Sequence, residues 1–257
     1  MLTSLLFGAT LASHAHLPPL QIWQGTSEQL MQTSGPLTTA FEQSNGISSP
    51  NYDDTMAYLT QLQQANRSQF HIMSIGTSDA GRDIKMLIAS AEGYTKAKQV
   101  AIDSKPTLLI QAGIHSGEID GKDAGIMLLR DIANGKRDEI LKRVNLLFIP
   151  ILNVDGHERR SAFNRINQRG PEVMGFRTNG QNLNLNRDFT KLDTPGVRAI
   201  AGVVNGSKPD LSLDVHVTDG ADYQYDITYG YNPTFASATP KVTAALDNYV
   251  KPILVAK

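Results

Sequence analysis

Residues 144–152 read VNLLFIPIL, an apolar run interrupted only by Asn145 and Pro150. Strands with one wet face alternate polar and apolar residues, whereas a near-continuous run marks a strand covered on both faces. A sheet of such strands needs helices above and below it, which directs the chain to an α/β architecture. Leu108-Leu109-Ile110 is a second run of this kind, and Ala124, Met127, Leu128 and Ile132 come after it at helical spacing. His71–Ile75 and Ile84–Ala89, joined through the turn Gly76–Arg82, predict a hairpin. Further helices are expected over Tyr52–Asn66, near Ser27–Thr33, over Pro195–Val204 and from Thr239-Pro240 onward through Val242, Leu246, Tyr249 and Ile253. Asn153–Gly156 is expected to end the 144–152 strand as a turn. Leu211–Val217 alternates, with Leu211, Leu213, Val215 and Val217 on one face and Asp214 and His216 on the other. The expectation is a central mixed, largely buried sheet flanked by helices.

A chain of 257 residues suffices for one large domain of this type. Met1–Ala15 has an apolar stretch and a small-residue exit, and reads as a signal peptide. Residues 16–49, rich in Pro, Ser, Thr and Gly, form an extended lead-in, and residues 50–257 carry the domain. The mature protein is accordingly expected to be exported, periplasmic or secreted, with no membrane span. A net charge of -1 with 19% charged residues gives no surface for nucleic acid. Cysteine is absent, so disulfides and thiolate metal ligands are excluded.

Between the second apolar run and its helix lies His115-Ser116-Gly117-Glu118. An imidazole and a carboxylate three residues apart at a strand-to-helix turn can converge on one zinc ion. His-x-x-Glu alone is a common pair. It gains weight from the order of the residues beyond it: an Arg-rich segment from His157 to Asn186, then Asn184-Leu185-Asn186-Arg187, then His216 in a strand. Arginines at strand ends suit carboxylate recognition, since the guanidinium fork matches a carboxylate. A zinc site of His and Glu with three protein ligands keeps a fourth position open and is typically catalytic.

These residues resemble the zinc carboxypeptidases of the carboxypeptidase A type over roughly residues 50 to 250. Lesser likenesses are Gly76-x-Ser78-x-x-Gly81-Arg82, Asn153-Val154-Asp155-Gly156 (with Val154 where the family has proline) and Tyr229-Gly230-Tyr231. The resemblance implies one Zn2+ held by His115, Glu118 and His216. It implies Asn186 and Arg187 at the substrate's terminal carboxylate, and Arg165, with Arg169 as rival, at the scissile carbonyl. The partners implied are peptide or protein C-termini, extending to cell-wall peptides if the chain is exported. Asp214 is a candidate to support His216.

The family's general-base glutamate lies well beyond the third ligand, but the last glutamate here is Glu172. The expectation is a fragment lacking the C-terminal part of the domain and its base. Two alternatives are a zinc amidohydrolase of the aspartoacylase and desuccinylase type, and a non-catalytic zinc-dependent peptide-binding module.

Overall fold

The structure is a computed structural model that describes residues 26–168, 170–221, 223, 227–230 and 239–252. The N-terminal Met1–Ala15 segment and Arg169 lie outside these residues, as do Tyr231 and Ile253. Helices α1 (Ala40–Gln43) and α2 (Tyr52–Ala65) precede strands β1 (Phe70–Thr77) and β2 (Asp83–Ala89). There follow α3 (Ala97–Val100), β3 (Thr107–Ala112), α4 (Asp120–Ala133), α5 (Glu139–Arg143), β4 (Asn145–Ile149) and α6 (Val154–Glu158). A long irregular segment leads to α7 (Pro195–Ser207), β5 (Leu211–Val215) and α8 (Thr239–Ala245).

The five strands form one mixed sheet in the order β1-β2-β4-β3-β5. β1–β2 and β2–β4 pair antiparallel, while β3 pairs parallel with both β4 and β5. All five residues of β4 are buried, as the 144–152 run predicts. Its alternate residues enter two different cores. Leu147 and Ile149 join Ile84, Leu109 and the α7 residues Val197, Ile200 and Val203. Leu146 and Phe148 join Leu59 and Leu62 of α2 and Ile126, Leu129 and Ile132 of α4. The sheet is therefore covered by α2 and α4 on one face and by α7 on the other. Each large aliphatic side chain so buried contributes on the order of 1.5–3 kcal/mol.

Local chemistry fixes the helix ends. The Asn51 side chain accepts the Asp54 N–H at 2.8 Å, and Asp53 and Asp54 lie in the positive first turn of α2. Thr194 caps α7, with Pro195 in its first turn. The Asn153–Gly156 segment differs from the turn expected. The Asn153 side chain accepts the Gly156 N–H at 3.0 Å and starts the single helical turn of α6. Gly121 lets α4 lie low on the sheet, because a Cβ there would stand 2.6 Å from the Val215 Cβ.

In the lead-in, Thr26–Leu30 is a 3-10 turn overlapping the short helix expected near Ser27–Thr33, whereas α1 departs from the extended reading as a capped turn in which Thr39 and Glu42 bond reciprocally. Glu42 is then buried against Arg130 of α4 with Nη1–Oε2 at 2.5 Å, and both side chains are fully enclosed. Arg130 thus belongs to the inner face of α4. Charged side chains default to the surface unless paired, and the partner here lies 88 residues away in sequence.

Candidate metal centre

β3 ends at Ala112, and Gly113, at φ +67°, turns the chain so that Ile114 to Ile119 pass beneath the neighbouring loops. His115 and Glu118 both emerge from this turn, each only 3% exposed. The backbone bond from Glu118 N to His115 O, 2.9 Å, closes the turn and brings the two side chains to one side. β5 runs parallel to β3, with Asp214 level with Gln111 and Val215 with Ala112. His216 therefore lies just past the last paired residue of β5, much as His115 lies past the end of β3. One ligating atom from each of His115, Glu118 and His216 lies within 4.8 Å of the other two.

Glu118 is the hub. Its Oε1 stands 3.1 Å from His115 Nδ1, and its Oε2 stands 2.8 Å from His216 Nδ1 and 3.2 Å from the Val217 backbone N–H. Burial alone would raise this carboxyl. The hydrogen bonds from His115, His216 and Val217 outweigh burial and hold it well below the usual carboxylate range.

The outer ring nitrogens also face acceptors. His115 Nε2 lies 3.1 Å from Asn184 Oδ1, whose identity as oxygen is fixed by the Asn186 N–H that donates to it at 3.0 Å. His115 Nε2 thus meets an oxygen acceptor while its Nδ1 faces Glu118 Oε1. His216 Nε2 lies 3.0 Å from Asp214 Oδ2, so this ring too meets a carboxylate at each nitrogen. The bond to Asp214, then that to Glu118, push its pKa up to about 10 against partial desolvation. Two imidazole Nδ1 atoms converge on one carboxylate, and each Nε2 is backed by an oxygen acceptor, so the three residues could hold a metal ion. Such a donor set with outer support is of the kind that can take a divalent metal.

The arginines are distributed unequally. Arg165 is buried, with Nη2 3.0 Å from Glu118 Oε1 and in direct contact with Asp219 Oδ1. Arg177, not singled out from the sequence, brings Nη1 to 3.5 Å from Glu118 Oε1 and 3.7 Å from Asp219 Oδ2, with its side chain 34% exposed. The loop carrying it is pinned where Phe176 N–H donates to Gly156 O at 2.7 Å. Gly156 and Gly175 permit that approach, since a Cβ on Gly175 would stand 2.7 Å from Gly156 O. Asn186 and Arg187 lie in a 3-10 turn, Leu185–Arg187, joined to the centre through Asn184. Arg187 is exposed and donates to Asn186 O at 2.7 Å. Asn184 was visible in the sequence only as a neighbour of Asn186. Its role as the acceptor for His115 depends on a contact 69 residues distant.

The family description "Zinc carboxypeptidase" matches residues 55–212, more than half of the chain. The chain belongs to the zinc carboxypeptidase family. Among the curated relatives, "Carboxypeptidase 2" of Trichophyton rubrum is 24% identical over 221 residues, 83% of this chain and 38% of that protein. The solved carboxypeptidase A of Helicoverpa armigera superposes with a TM-score of 0.57 at 18% identity, covering 86% of this chain and 58% of that one. A metallo-carboxypeptidase from Burkholderia cenocepacia gives a TM-score of 0.52 at 20% identity over 67% of this chain and 42% of that one. The chain thus spans less than two thirds of the length of each of these relatives. No helix among the described residues is long and apolar enough to cross a membrane.

Proposed function

We propose that this chain binds one zinc ion through His115 Nδ1, Glu118 and His216 Nδ1, and serves hydrolysis of C-terminal peptide bonds. The observation that carries the proposal is the facing of two imidazole Nδ1 atoms and one ionised carboxylate, with both Nε2 atoms backed by Asn184 and Asp214. Zinc held there would supply Lewis acidity for a peptide carbonyl and an acidified water. Arg187, exposed and adjacent to Asn186, anchors the substrate's terminal carboxylate and thereby selects the last peptide bond. The chain His115–Asn184–Asn186 couples that anchor to the metal ligands.

At the scissile carbonyl, Arg165, Arg169 and Arg177 are the candidates for stabilising developing negative charge. Arg177 has the open side chain, whereas Arg165 shares one nitrogen between two carboxylates. The proposal assigns the general base to no residue of this sequence, in which no glutamate lies beyond Glu172. Export is proposed from the apolar Met1–Ala15 stretch alone. Metal analysis of the wild type against His115→Ala and His216→Ala tests the centre. One zinc per chain in the wild type and almost none in either variant is expected; equal content in all three would remove the proposal.

A further inference from the structure

The contact between Asp219 and the two arginines has no role in the function proposed above. Asp219 lies three residues past His216, and its side chain is 64% exposed. Its Oδ1 contacts Arg165 Nη2, and its Oδ2 is 3.7 Å from Arg177 Nη1. Each oxygen thus faces a different guanidinium, in the arrangement that an incoming carboxylate or phosphate would adopt. The same two arginines approach Glu118 Oε1 from their other side.

The backbone is shaped to deliver this carboxylate. Asn167 Nδ2 donates to Asp219 O, and Gln168 Nε2 donates to Thr218 O at 3.0 Å. Gly220, at φ +87°, passes so close to Asn167 O that no side chain fits there. On the outer side the segment Thr218–Gly220 is exposed or half-exposed. It is tied to the arginine loop by side chain-to-backbone bonds, which open at low cost where solvent can replace them.

We propose that Asp219 is a built-in occupant of the Arg165–Arg177 pair, standing where an anionic group of a ligand binds, so that a ligand must displace it. The residue sets the affinity threshold of the pair. With Asp219 in place, two guanidinium charges meet two carboxylates and the cluster is neutral. Without it, the pair presents one uncompensated positive charge beside the metal ligands. The proposal rests on the reading of these arginines as ligand-facing.

The test uses the metal-free chain and inorganic phosphate as probe, measured by calorimetry at fixed ionic strength. Asp219→Asn is expected to bind phosphate about tenfold tighter than wild type, as removal of a direct charge competitor predicts. Glu172→Gln, which removes an exposed acid of the same loop, is expected to leave affinity within twofold. Asp219→Asn/Arg177→Gln is expected to lose the gain. A second measurement needs no variant: saturating phosphate should speed amide hydrogen exchange at residues 218–221 in the wild type. An unchanged or weaker phosphate affinity in Asp219→Asn, a gain that survives Arg177→Gln, or unchanged exchange at 218–221 would each overturn the proposal. Because zinc is absent throughout, failure of the zinc centre would show separately in the metal analysis.

Discussion

His157 provides a quantitative expectation for acid stability. It sits in α6, 1% exposed, with Nδ1 2.8 Å from Glu158 Oε1 and a buried Nε2 that meets no partner among the described residues. Lys122 and Asp123 of α4 and Arg160 are the other charged groups nearby. Burial is the largest influence on the ring, pushing its pKa down from 6.5 to about 4; Glu158 opposes this, and Lys122 and Arg160 add to it. The folded state therefore binds its proton less readily than the unfolded state. Stability from this group is full above the unfolded value, and falls as pH drops from 6.5 toward 4. At pH 5 the linkage amounts to ~2 kcal/mol relative to pH 7.5, from 1.36 kcal/mol per pKa unit. His157→Asn keeps a donor toward Glu158 and cannot titrate. Urea unfolding in chelator, monitored by circular dichroism, should show the wild-type midpoint falling more than the variant's between pH 7.5 and 5. The excess is roughly 0.7 M for an m-value of about 3 kcal/mol/M. The other histidines and carboxylates titrate alike in both proteins, so the difference isolates His157. Parallel pH profiles for the two proteins would refute the reasoning.

Other expectations rest on single contacts. Glu42→Gln leaves buried Arg130 with Asp131 as its remaining carboxylate partner and should cost roughly 1–3 kcal/mol, read as a shift in urea midpoint. Asp214→Asn removes the carboxylate behind His216 and should weaken zinc roughly 10- to 100-fold in a chelator competition titration. Gly121→Ala places a methyl 2.6 Å from the Val215 Cβ and should destabilise by about 1–3 kcal/mol, with the loss visible in hydrogen exchange of β5.

The sequence made the sheet legible because burial on two faces leaves a composition signature, and β4 and the start of β3 carry it. The two ends of the turn were legible as a local His-x-x-Glu pair, and His216 through the order of motifs shared with the family. What escaped has a common physical origin. Asn184, Arg177 and Asp219 act from irregular segments with no periodicity, and their partners are 69, 59 and 54 residues away respectively. Glu42 and Arg130 satisfy one another, but each alone looks like a surface charge. The α6 turn was hidden because a five-residue helix needs no apolar repeat, only a capping side chain such as Asn153.

The position of the centre is set by how the chain crosses its own sheet. From β3 the chain passes through α4 on one face to β4, while from β4 it passes through α7 on the opposite face to β5, stepping over β3. The strand order therefore reverses at β3, and the crevice beyond the carboxyl ends of β3 and its neighbours is left open by the diverging connections. The segments that leave β3 and β5 in parallel must both enter that crevice, which is why two residues beyond different strands, His115 and His216, can share Glu118. The segment leaving β4 enters it as well: Asn153 O accepts the Ser116 hydroxyl at 2.5 Å, and α6 then holds the Phe176 backbone and so aims Arg177 at the same carboxylate. The proposed ligands, the arginine and the Asn184–Arg187 turn are separated widely in sequence, yet the register of three parallel strands is enough to set their separations. A one-residue slip of β5 against β3 would turn Asp214 and His216 to the α4 face and remove both the proposed ligand and its support.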